Sequence, residues 1–84
     1  MSRKLLRTES IMNKKDAAEK LHDLADKIGD GKVELKAGEE NIELTPSDQV
    51  EFEIEVEEET DGDISIEIEV EWSKDSQDEE LEIN

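Results

Sequence analysis

Eighty-four residues, with 27 acidic and 10 basic side chains and a net charge of −17, fit one small domain whose surface repels nucleic acid and anionic lipid. The absence of cysteine excludes disulfides, thiolate nucleophiles and Cys-based zinc or iron–sulfur sites. No apolar run approaches the ~20 residues of a membrane span, and the basic start Met1–Ser10 has no apolar stretch long enough for a signal peptide, so the expected compartment is cytoplasmic.

In chain order, residues 1–12 form an N-terminal segment in which Lys4–Ser10 reads equally as an edge strand or as loose chain. A helix start follows at Asn13-Lys14-Lys15-Asp16: Asn13 can accept a backbone N–H as N-cap, and Asp16 suits the positive end of the helix. Ala17, Ala18, Leu21, Leu24, Ala25 and Ile28 recur at three- and four-residue spacings, one apolar stripe on about four turns. Gly29 and Gly31 flank Asp30, and either can take the left-handed conformation that ends the helix.

Strand periodicity then takes over. Val33, Leu35 and Ala37 alternate with polar residues; Gly38–Asn41 is turn material; Ile42 and Leu44 resume the alternation until Pro46, which donates no ladder hydrogen bond. Val50, Phe52, Ile54 and Val56 interleave with Glu51, Glu53, Glu55 and Glu57. After the turn signal Asp61-Gly62, Ile64, Ile66, Ile68, Val70 and Trp72 interleave with Ser65, Glu67, Glu69 and Glu71. A period of two places the even-numbered side chains on one face and the carboxylates on the other. Residues 74–84 read as an acidic, disordered tail.

The expected fold class is α+β: one N-terminal helix packed on a four-stranded antiparallel meander, with residues 13–73 as the single domain. The helix stripe is expected to cover the apolar sheet face, and Trp72 to plug the end of the last strand, its indole N–H finding a carbonyl or water. Only 32% of the chain is apolar, so the core is thin. Burial at ~25 cal/mol per Å² against ~1.5 kcal/mol of entropy per ordered residue leaves such a chain near balance, which favours a homodimer through a sheet edge or face.

From the helix opening Asp16-Ala17-Ala18-Glu19-Lys20-Leu21, the Leu24-Ala25 pair, the segment Gly31–Leu35 and the alternating strand ending Ile68-Glu69-Val70-Glu71-Trp72, the chain resembles the amphi-Trp domain family, which is common in archaea. The resemblance covers about Leu5 to Ser73, and Asp16 stands where the family pattern has Glu. It implies no activity, ligand or catalytic residue, because none is established for the family.

Charge is segregated along the chain. Residues 1–36 carry nine Lys or Arg against seven acids, whereas residues 37–84 carry Lys74 alone against twenty acids. A hairpin centred near Asp61 sets Glu55 opposite Glu67, Glu53 opposite Glu69 and Glu51 opposite Glu71, an arrangement that destabilises a sheet. The candidate functional surface is therefore the acidic face of Glu51, Glu53, Glu55, Glu57, Glu67, Glu69 and Glu71, with a basic protein or peptide as its partner. The alternatives are a structural or solubility domain and a weak divalent-cation binder, although parallel carboxylate rows converge poorly on an ion. An EF-hand frame with Gly62 at loop position 6 puts Ile68 where a bidentate Glu is required, so the frame fails. His22 borders the helix stripe without a nucleophile or orienting group, and no serine lies in a nucleophile elbow. No catalytic constellation, cofactor loop or metal motif is expected, and the protein reads as a non-enzyme.

Overall fold

The computed structural model describes residues 2–73. It contains α1 (Lys14–Asp30), β1 (Val33–Ala37), β2 (Glu40–Leu44), β3 (Glu51–Glu58) and β4 (Ile64–Glu71), the α+β content expected from the sequence. Residues 2–13 hold no strand, so the edge strand considered for Lys4–Ser10 is not formed. Leu5 and Leu6 are adjacent and would point to opposite faces of a strand, giving that segment no single face to bury. The acidic tail at 74–84 lies outside the described residues.

Ladder bonds join β1 to β2 and β3 to β4, two antiparallel pairs. The expected four-strand meander divides at Pro46-Ser47-Asp48-Gln49, where proline withholds a ladder donor and the next residues are bend or irregular chain. The chain separates after Pro46 into two compact units.

The first unit holds the helix and the short hairpin. Asn13, in extended backbone, accepts the Asp16 amide on its side-chain oxygen at 2.8 Å, satisfying one of the orphan donors of the first turn. At the other end Gly31 adopts φ 93°, its amide donating to the Lys27 and Ile28 carbonyls while Lys32 N–H also reaches Lys27, the left-handed cap that glycine reaches without steric cost. The helix touches β1. Val33 is the deepest side chain, at 2% exposure, and Ala17, Leu24, Ile28, Leu35, Ile42 and Leu44 are half-buried. Val33 pairs with Leu44 and Leu35 with Ile42 across a two-residue loop. In that loop Gly38 takes φ 62° and Glu39 keeps a negative φ, the pattern of a II′ turn.

The second unit is a longer ribbon. Phe52 pairs with Val70, Ile54 with Ile68 and Val56 with Ile66, the face parity read from the sequence. The Gly62 amide donates to the Glu59 carbonyl, Glu59 N–H to the Asp63 carbonyl, and Asp63 N–H to Asp61 Oδ1. With Gly62 at φ 97°, this is a three-residue hairpin loop closed by a glycine bulge. At the open end the Ser47 hydroxyl donates to the Ser73 carbonyl at 3.4 Å, and Trp72 is half-buried. Among the described residues of this unit there is no second layer, so the even-numbered side chains expected in a core share a face without being enclosed by the ribbon itself.

The two glycines flanking Asp30 should respond oppositely to alanine. Neither position has an atom within 4 Å of an added Cβ, but only Gly31 has a positive φ. Gly31→Ala is expected to destabilise the first unit by about 1–2 kcal/mol, whereas Gly29→Ala, inside the helix, should stabilise it by about 0.5–1 kcal/mol. Urea titrations followed by helical circular dichroism measure both.

Candidate functional site

All seven candidate glutamates lie on one face of the second unit, because odd-numbered positions of both strands share a side of the ladder. Three cross-strand pairs stand directly opposite each other: Glu51 with Glu71, Glu53 with Glu69 and Glu55 with Glu67. Directly opposed residues have Cβ atoms ~5 Å apart, close enough for mutual repulsion. Glu57 differs, since its opposite number is Ser65, and it ends the row without an acidic partner across the ladder. Glu53, Glu55, Glu67 and Glu69 border an open hollow on the sheet surface.

Glu69 records the crowding. A hydrogen bond with Glu53 holds its carboxyl above the ordinary range, and the negative charges of Glu71, Glu53 and Glu51 push in the same direction. Proximity of Glu53 and the surrounding negative charge disfavour the ionised form of Glu69, which is the direction mutual repulsion dictates.

The first unit handles the same problem differently. On the outer face of its hairpin, Glu34 stands opposite Glu43, but Lys32 Nζ donates to Glu43 Oε2 at 2.9 Å. That bond, followed by the charges of Glu43 and Glu34, raises the Lys32 pKa. Lys36 lies farther along the same row, opposite Asn41. The Lys32–Glu43 pair was absent from the sequence expectations, although Lys32, Glu34 and Lys36 share a parity that places them on one face. From residue 37 to residue 73 the sequence has no Lys or Arg, so the described residues of the acidic ribbon include no equivalent of Lys32.

Other candidate chemistries find little structural footing. The Asp61 carboxylate is engaged by the hairpin turn. Among the described residues no group of three acidic or histidine side chains converges to hold a metal ion, and no helix is long and apolar enough to cross a membrane. His22 is exposed on the helix.

The raised Glu69 pKa sets the sign of a pH effect. Between the ordinary glutamate pKa and the raised folded value, the folded chain holds a proton that the unfolded chain has lost. This contribution is full below the unfolded pKa and is lost as pH rises through the folded one. Thermal melts of the intact chain should therefore show a midpoint that falls across that window and rises with added salt at neutral pH. Glu69→Gln should lift the neutral-pH midpoint and flatten both dependences.

No curated protein and no solved structure matches this chain. The family model of the Amphi-Trp domain matches residues 1–84, the whole length that carries the capped helix, the two hairpins and the half-buried tryptophan, and the chain belongs to that family.

Proposed function

We propose that the protein is a non-enzymatic interaction module that docks a basic protein or peptide surface through the carboxylate face of β3 and β4. The observation that carries this reading is the contrast between the hairpins. Both set glutamates opposite each other, yet the first has Lys32 and Lys36 on its acidic face and the strands and turn of the second contain no Lys or Arg. Opposed carboxylates without a counter-charge cost sheet stability, and a partner bringing Lys or Arg to the rows supplies the missing charge.

Glu51, Glu53, Glu55, Glu57, Glu67, Glu69 and Glu71 form the docking surface in this proposal. Glu53, Glu55, Glu67 and Glu69, which border the central hollow, are its middle. Recognition of this kind is steered by long-range attraction and weakens as salt screens it. It requires no cofactor and no reacting group.

An oligolysine peptide titrated against the isotope-labelled protein tests the reading. Saturable amide shifts confined to β3 and β4 are expected, weakening steeply between low and high salt. Changing Glu53, Glu55, Glu67 and Glu69 together to Gln should reduce affinity about tenfold or more, taking exposed charge pairs at up to ~1 kcal/mol each. Binding that ignores salt, or that survives the four substitutions, would show that the rows serve solubility alone.

A further inference from the structure

The side of the second unit opposite the carboxylates is apolar over most of its length. Phe52 is 63% exposed, Ile54 57%, Val56 67%, Ile64 69%, Ile66 69% and Ile68 48%, and the register draws these side chains into a single stripe. Together they present on the order of 700 Å², at or above the largest apolar patch of an ordinary monomer. A two-stranded ribbon without a covering layer is marginal in water.

We infer that this stripe is the interface of a homodimer in which two copies pack their β3–β4 ribbons face to face. The area is of the right order, since a standard interface buries ~800 Å² per partner. The chemistry of the stripe is self-complementary: the ladder places only aliphatic and aromatic side chains there between Phe52–Val70 and Val56–Ile66, with Glu58 confined to the turn end opposite Ile64. Charge selects the geometry. Joining ribbons edge to edge would extend the acidic face and bring more carboxylates alongside one another. Stacking them through the apolar faces turns both acidic faces outward, separated by two sheets ~10 Å apart together with the side chains on each outer face. This exceeds the Debye length of ~8 Å at physiological salt. A face-to-face pair thus buries the stripe without opposing the acidic rows, and leaves the face assigned to a basic partner open on both sides.

Sedimentation equilibrium of the full chain over micromolar to submillimolar concentration, together with cysteine cross-linking, tests this. The native chain has no cysteine, so single substitutions report cleanly. A species of twice the monomer mass is expected, with Ile68→Cys joined across the interface by a bis-maleimide of about 10 Å reach, matched to the ~10 Å spacing of stacked sheets, and Glu67→Cys, on the other face, remaining monomeric on denaturing gels. Ile54→Asp should weaken dimerisation at least tenfold, and Glu53→Gln should preserve it. A chain that stays monomeric with Ile68→Cys unlinked would overturn the inference, including the case in which other parts of the same chain shelter the stripe. A dimer linked through Glu67→Cys and not through Ile68→Cys would overturn it too. Because the two faces are opposite, failure here leaves the oligolysine experiment unaffected.

Discussion

An antiparallel ladder fixes the spacing of facing side chains, and carboxylates opposite one another on it have no freedom to move apart. Their backbones are tied by hydrogen bonds, and their Cβ atoms stay ~5 Å apart whatever the rotamers do. In the β3–β4 ribbon this constraint applies at three successive pairs. Glu69 registers the strain as a carboxyl whose pKa is raised by Glu53 and the neighbouring acids. The first hairpin shows a local relief, an ammonium brought in from Lys32.

The same alternation that lines up the acids also lines up the apolar residues. Period-two patterning separates the faces except near the turn, where Glu58 joins the apolar side and Ser65 the acidic one, so the ribbon is a two-sided object with carboxylates on one surface and Phe52, Ile54, Val56, Ile64, Ile66 and Ile68 on the other. The two sides differ in chemistry and face opposite ways. A protein with so few aromatics and so thin an apolar complement gains little from internal burial, and contact with other surfaces becomes a larger share of what orders it.

Much of this was legible in the residues. The Asn13 cap, an end of the helix at Gly29 or Gly31, both turns and the three glutamate pairings follow from local rules of capping, left-handed glycine and strand parity, and the structure bears these out, with Gly31 as the glycine that caps. Local rules say less about which strands join. Pro46 is visible in the sequence as a strand breaker, but whether a ladder resumes beside the previous strand or with the next one depends on non-local pairing that alternation does not encode. Burial was the other weak point. Parity decides which side chains share a face, and it cannot say whether a covering layer is present. The Lys32–Glu43 pair escaped for a related reason: Lys32 precedes the strand itself, and its usefulness appears only when Glu43 arrives from the neighbouring one.

Two-stranded ribbons coil more tightly than broad sheets, and the three-residue loop around Gly62 follows the same handedness. Over the eight residues of β3 and β4, such coiling bends the greasy stripe into a saddle. A rigid planar surface would meet a saddle only along a line, whereas a mate with equal and matching curvature can follow it from end to end. The torsion of the ribbon therefore limits, by contour alone, which surfaces could lie flush against it.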